Sequence, residues 1–323
     1  MALSIFDLIT IDRVKDTTVA GVDLTFDDGS AYPDSLFEDA IAQSVSLLET
    51  ELGIIIDPFS IKGERHDVDI IDRNAHYPLS LDLKPLKAVD RLAIRVGNSS
   101  AEGEFPTSWA SIASRQHSKI NLLPDSGAES ALRFSSGVPF LVGDVFSPYS
   151  RFPQYFSIDY TAGFTFEEGS AVIPQGQSEV SISLTNTFDT RPNILIEITD
   201  AQGGSGLRTI SAGANSLTVA ARVAPTTGDL TFNYTVHNVD PLIERALLLL
   251  SAILPLNIAG DLIAGAGVAS QSISIDALSQ SLATTASATS AGYGARLIAF
   301  NDELKKVTKA LRGKYSQMNF YAR

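Results

Sequence analysis

The chain has no cysteine. That excludes disulfides, thiol nucleophiles and cysteine-ligated zinc, and 323 residues without a disulfide staple fit folding in a cytosol. Histidine is scarce: His66, His76, His117 and His237 are the only four, and none lies in an H-E-x-x-H pattern or other ligand spacing. Asp67, Asp69 and Asp72 cluster near His66. No glycine turn and bidentate glutamate follow at EF-hand spacing, so a solvated strand edge is expected there and no metal site. Charged residues make up only 19%, and bases are outnumbered, 24 Lys/Arg against 37 Asp/Glu, for a formal charge of −13. That argues against a nucleic-acid-binding surface over most of the chain. The opening MALSIFDLITIDRVKD lacks a basic segment followed by an apolar run, so no signal peptide is expected.

The motifs of common enzymes are missing too. No Walker A sequence occurs. Gly203-Gly204-Ser205-Gly206 is not a nucleophile elbow, because G-x-S-x-G fails at Leu207. Gly265-Ala266-Gly267 follows a helix pattern rather than a strand, which is the wrong context for a dinucleotide fingerprint. Paired carboxylates of a glycosidase cannot be placed from sequence, so that class stays formally open. Nothing positively supports an enzyme, and no cofactor is expected.

What is present is organised around Asp240 to Leu254, DPLIERALLLLSAIL. Asp240 suits an N-cap, Pro241 the first helical position, and Glu244 the positive helix end. From Ala246 the helix is apolar on nearly every face, so it belongs in a core. Pro255 is expected to end or kink it, and a loop to follow over 260–267. A membrane span is disfavoured, because extending the run to Ala264 crosses Pro255, Asn257 and Asp261.

A second amphipathic helix is expected from Ser35, in a capping box with Glu38, through the stripe Phe37, Ile41, Val45, Leu48 and Leu52, with Gly53 as its stop. Ile54 to Ile56 reads as a short buried strand. Residues 60–165 read as strands with long loops, with Trp109 as a core anchor beside Pro106. Residues 166–238 change character: Val180–Leu184, Ile194–Ile198, Leu217–Ala221 and Leu230–Val236 alternate as strands at sandwich spacing. Ser272–Ile275 is a further short strand. The last helix carries Leu297, Phe300, Leu304, Val307 and Leu311 at spacings of 3, 4, 3 and 4, a seam for another helix, which Tyr315 continues. Residues 296–323 hold seven Lys/Arg against two Asp/Glu, a balance of +5 that leaves −18 on the remainder. A basic tail on an acidic body suits docking on something acidic.

Several pieces in this order resemble the head–tail adaptor (connector) proteins of tailed bacteriophages. The helix ending in Glu51-Leu52-Gly53 is similar to their N-terminal helix. Leu83-Lys84-Pro85-Leu86 leading to Val89 resembles their strand entry, and Pro106, Trp109 and Ile120–Pro124 resemble the strands after it. Ile158 to Phe164, IDYTAGF, precedes a proline-started apolar helix in that family; here the helix Asp240–Leu254 is displaced by the β region. The small-residue stretch from Gly267 to Gly294 is similar to phage neck proteins. The resemblance covers roughly 33–165 and 240–315, and the β region departs from the small members of the family.

The resemblance implies a structural virion protein. It would be a homo-oligomeric ring, usually of twelve copies, assembled in the host cytoplasm at the neck between the portal protein and a downstream neck or tail protein. Double-stranded DNA would pass through without sequence-specific binding, which an acidic body favours. No membrane is involved. The expected fold is α+β: an adaptor body over 1–165 and 239–295, an inserted antiparallel β-sandwich over 166–238, and a C-terminal helix and docking tail over 296–323. The tail is expected to fray after Gly313. The residues expected at the portal are Lys309, Arg312, Tyr315, Met318, Phe320, Tyr321 and Arg323, because aromatics and arginine dominate interface energetics. The alternative is a tail or surface binding module whose sandwich recognises a glycan.

Overall fold

The computed structural model describes residues 4–26, 28–69, 77–95, 102–122, 151–188, 192–197, 206–264, 270–275, 278–283 and 293–315. Helices and small antiparallel sheets make up an α+β chain. Contacts divide it into two compact units, Met1–Leu52 with Phe166–Gly313, and Gly53–Thr165 with Lys314–Arg323. The body expected over 1–165 and 239–295 is thus itself divided, and the sandwich groups with the helices.

In the first unit, α1 (Ile5–Leu8) and α2 (Ile11–Thr17) are short and locally capped. Ser4 forms a capping box with Asp7, whose carboxylate accepts the Ser4 N–H at 2.8 Å, and the Thr10 hydroxyl accepts the Arg13 N–H at 3.2 Å. These bonds satisfy amides that a helix start otherwise leaves unpaired. Helix α3 (Asp34–Leu52) starts two residues earlier than a cap at Ser35 would place it. Ser35 therefore lies inside the first turn and cannot be the cap of an S-x-x-E box. The helix opens instead on Pro33, whose carbonyl accepts the Leu36 N–H at 3.1 Å. Phe37, Ile41, Val45, Leu48 and Leu52 are all buried, as the stripe requires. Gly53 stops the helix at φ +63°, a conformation that costs glycine nothing.

Helix α4 (Pro241–Ala264) packs along α3. The Asp240 carboxylate accepts the Leu242 N–H at 2.9 Å, as an N-cap should. Pro255 does not end the helix, which runs on to Ala264 through the start of the expected loop; residues 265–267 of that loop lie outside the described residues. An interior proline costs roughly 3 kcal/mol. Beyond it Leu256 is fully buried and Ala259 nearly so, and their burial favours carrying the helix on. Ile243, Ala246, Leu247, Leu249 and Ala252 are also 0% exposed, the surface of a core helix. Close approach to α3 is made through small residues: the Ser251 hydroxyl lies 3.3 Å from that of Ser44 and donates to the Leu247 carbonyl at 2.7 Å.

The same unit holds the sandwich. For these strands we number in chain order after the seven of the other unit: β8 (Phe166–Ile173), β9 (Glu179–Ser183), β10 (Asn193–Glu197), β11 (Arg208–Ala212), β12 (Ser216–Ala220) and β13 (Leu230–His237). They form two three-stranded antiparallel sheets, β10-β13-β8 and β11-β12-β9, over one core that includes Phe188, Leu217, Val219, Leu230, Phe232 and Val236. Four of these strands follow from apolar alternation. β8 and β11 do not, because β8 turns Glu168, Ser170 and Val172 outward and has glycine among its inward residues, and β11 is half-exposed. The first and last strands pair directly, Phe166 opposite His237, so the sandwich is entered and left at one place. A hairpin, β14 (Ser270–Ile275) with β15 (Leu278–Ala283), precedes the last helix, α5 (Gly294–Tyr315).

The second unit packs the four-stranded sheet β1-β7-β3-β4 and the three-stranded sheet β2-β6-β5 around one core. Its strands are β1 (Phe59–Asp69), β2 (Tyr77–Ser80), β3 (Leu86–Arg95), β4 (Glu102–Phe105), β5 (Ala110–Ser114), β6 (Lys119–Leu122) and β7 (Arg151–Ala162). Trp109 is 2% exposed and stacks on Phe105 at 5.0 Å between ring centroids, the anchor its neighbourhood suggests. Ile54 and Ile56 are buried and Ile55 half-buried, but the segment forms no strand; Ile55 N–H donates to the Lys84 carbonyl at 2.6 Å, and Phe164 N–H to the Ile56 carbonyl at 2.9 Å. Gly163 in the IDYTAGF segment sits at φ +112°, where a Cβ would come within 2.7 Å of the Asp57 carbonyl oxygen, so only glycine fits.

Candidate interaction site

Helix α5 carries three of the residues expected at the portal, Lys309, Arg312 and Tyr315. Its seam is buried as expected at Leu297, Val307, Leu311 and Tyr315, and half-buried at Phe300 and Leu304. Arg245 and Glu303 form a two-point guanidinium–carboxylate pair, 2.7 and 2.8 Å, that ties α4 to α5. That pairing holds the Glu303 carboxyl below its ordinary range. Arg296 donates to the Ala20 carbonyl at 3.3 Å and lies over the Phe300 ring. Lys305, Lys306, Lys309, Arg312 and Lys314 are exposed.

The expected portal residues do not behave alike. The helix does not fray at Gly313 but runs to Tyr315. Tyr315 is 2% exposed and meets Phe164 edge-on at 6.3 Å, so it is a packing residue and not a free anchor. The seam explains this: Tyr315 follows Leu311 by one turn, and its burial outweighs the weak helix propensity of Gly313. Arg312 is exposed and reaches Glu51 at 2.9 Å. Lys309 is exposed and in no ion pair among the described residues. Met318, Phe320, Tyr321 and Arg323 lie outside the described residues.

Two polar clusters in the interior were not legible from sequence. In the second unit Glu64 accepts from the Asp82 N–H at 3.0 Å, contacts His66 Nε2 at 2.7 Å and accepts a short bond from the Tyr160 hydroxyl. Burial works to raise the Glu64 pKa, but the bonds from His66, Tyr160 and Asp82 outweigh it and hold the carboxyl below its ordinary range. Burial and the Glu64 carboxylate push the Tyr160 hydroxyl far up. His66 is thus a partner of Glu64, and among the described residues no group of His, Asp and Glu is arranged to hold a metal ion. Asp72 lies outside the described residues.

The other cluster joins the sandwich to α4. Glu244 accepts from Arg13 at 3.0 Å, and His237 Nε2 lies 3.3 Å from its other oxygen. Burial, with the nearby Arg13 charge, pushes His237 down to about 4. The imidazole is therefore neutral near pH 7, and a carboxylate partner assigns the proton to Nε2. Its Nδ1 is buried without a partner. Burial raises Glu244 despite Arg13. Both clusters hold elements together: Glu64 joins β1 to β7 through Tyr160, and Glu244 joins α4 to α2 through Arg13.

Comparison with models of known protein families gives no match, and comparison with characterised proteins gives none either.

Proposed function

We propose that this chain is a subunit of a head–tail adaptor ring in a tailed virion, joining the portal vertex to the tail and lining part of the DNA conduit. The observation that carries this reading is the order of the body segments together with the way the sandwich interrupts them. A helix closed by Gly53, the Leu83–Val89 strand entry, the IDYTAGF strand with its obligatory Gly163, and a proline-started apolar helix occur in the order of that family. The β region stands between the last two and is entered and left at directly opposed residues, Phe166 and His237, as an insertion should be. The acidic body suits a conduit that duplex DNA must slide past without binding.

In this reading the portal contact belongs to the C-terminal segment. Burial of Tyr315 moves its start to residue 316, and leaves Met318, Phe320, Tyr321 and Arg323 as the anchor. The test is binding of the purified protein to a purified portal, followed by imaging of the complex. A ring seated on the portal supports the reading. A protein that ignores portals and binds a glycan through its sandwich supports the surface-module alternative instead.

A further inference from the structure

The charge of this chain is segregated between its first and last helices. Residues 1–52 hold eleven Asp/Glu against two Lys/Arg, a balance of −9, whereas α5, residues 294–315, holds six Lys/Arg against two Asp/Glu, a balance of +4. Part of this is neutralised within the chain: Arg312 pairs with Glu51, Lys15 with Asp34, Lys305 with Asp302 one turn before it, Arg13 with Glu244 and Glu303 with Arg245. Among the described residues Lys309 makes no ion pair, and neither do Asp12, Asp16, Glu38 or Asp39.

Each charged face also carries an exposed apolar residue. On α5, Ile298 is 47% exposed, and it lies on the ridge Ile298, Asp302, Lys305, Lys309, whose spacings of 4, 3 and 4 keep it on the side opposite the buried seam. On α3, Leu47 is 60% exposed and ends the ridge Asp39, Gln43, Leu47. Leu47 borders an open apolar groove of about 240 Å³ lined also by Leu250, Ile253 and Leu254 of α4.

The two ridges match when read in opposite directions. At 1.5 Å per residue, Asp302 lies roughly 6 Å and Lys305 roughly 10 Å from Ile298 along the axis. Gln43 lies roughly 6 Å and Asp39 roughly 12 Å from Leu47. An antiparallel pairing that sets Ile298 on the Leu47 groove brings Asp302 to the Gln43 amide and Lys305 and Lys306 to Asp39 and Glu38. The result is an apolar centre beside charged pairs, the usual composition of a protein interface. Isolated exposed ion pairs contribute little, so the apolar contact supplies affinity and the charges supply register and exclusion of wrong partners.

We infer that the outer face of α5 docks antiparallel on the outer face of α3 of a second copy of this chain. Different surfaces meet, so the contact is heterologous and propagates from copy to copy, closing into a ring where the rotation allows. The inference rests on the adaptor reading only for that closure. It separates two roles within the C-terminal region: α5 joins subunits, and the segment after Tyr315 meets the portal.

The experiment uses the full chain in two charge-reversed variants, Lys305→Glu with Lys309→Glu, and Glu38→Lys with Asp39→Lys. All four positions are exposed, so melting temperatures should match the wild type. Mass is measured by light scattering at low and high salt. The wild type should assemble, each variant alone should associate at least tenfold more weakly, and an equimolar mixture should assemble again, because every contact then pairs opposite charges. Variants that assemble like the wild type, or a mixture that stays dissociated, overturn the inference and leave the adaptor reading standing. A wild type that forms an open chain or a dimer, disrupted by reversal and restored by mixing, keeps the inference and overturns the ring. A wild type that stays monomeric overturns both.

Discussion

Phe166 and His237 face each other in register at the mouth of the sandwich, their rings stacked at 6.1 Å. They are the first residue of its first strand and the last residue of its last. Everything between them can therefore be removed without stretching the remaining chain, since opposed residues in an antiparallel pair have Cα atoms only about 5 Å apart.

The first expectation is that replacing residues 168–235 by an Asn-Gly turn leaves a folded protein. The two retained residues keep the Phe166 stack and the His237–Glu244 contact. Calorimetry should show one cooperative transition at least for the helical part. Aggregation of the deletion variant, with no transition, would show that the helices need the sandwich to fold.

Helix α4 is a core element. Leu249→Asp places a carboxylate where no solvent reaches, at 0% exposure, and the cost of an unpaired buried charge is several kcal/mol. Soluble yield should collapse. Leu249→Ala should remain soluble but lose about 2–5 kcal/mol in urea unfolding. A Leu249→Asp protein with wild-type yield and melting would contradict the packing described for α4.

His237 sets a pH dependence of unusual sign. Its folded pKa is depressed to about 4, below the ordinary 6.5. Above pH 6.5 the residue is neutral in both states and contributes no slope. Between pH 6.5 and 4 the unfolded chain takes up a proton that the native state refuses, so stability falls as pH falls. The full window corresponds to about 3 kcal/mol. His237→Gln should remove this part of the decline, read as the wild-type minus variant difference in unfolding free energy at pH 7 and pH 4.5. Glu244, which contacts His237, shifts the other way, upward, so the difference reads the histidine together with its coupling to that carboxylate. Parallel pH profiles would sink the assignment.

At the C-terminus the position of the cut decides the outcome. Removing residues 316–323 should leave melting unchanged and abolish portal binding. Tyr315→Ala should cost about 3 kcal/mol, because the ring is buried against Phe164. The binding lost on truncation should depend only modestly on salt, since the anchor is mainly apolar. Retained portal binding by the truncated chain would place the contact elsewhere.

Periodicity made the apolar elements legible. The α3 stripe from Phe37 to Leu52 is buried as its spacing requires, the α5 seam is buried at Leu297, Val307, Leu311 and Tyr315 and half-buried at Phe300 and Leu304, and Trp109 is the anchor its neighbours indicate. Termini were less legible, because they depend on tertiary burial that no local signal carries. Pro255 failed to stop α4 because Leu256 and Ala259 are buried beyond it, and Gly313 failed to stop α5 because Tyr315 is. Ser35 mimicked a cap two residues too late, whereas a true capping box stands at Ser4 and Asp7, at the head of a helix of one turn. The polar clusters join residues far apart in the chain, Glu64 with Tyr160 and Arg13 with Glu244. No spacing rule finds such pairs; each needs the fold first.

The central claim is that this chain forms the adaptor ring between portal and tail. Its most direct test is cryo-imaging of the purified full-length protein mixed with a portal, with particle mass taken from light scattering on the same sample. The account predicts a closed ring of about twelve chains seated coaxially on the portal. Monomers or trimers that leave the portal bare would contradict it.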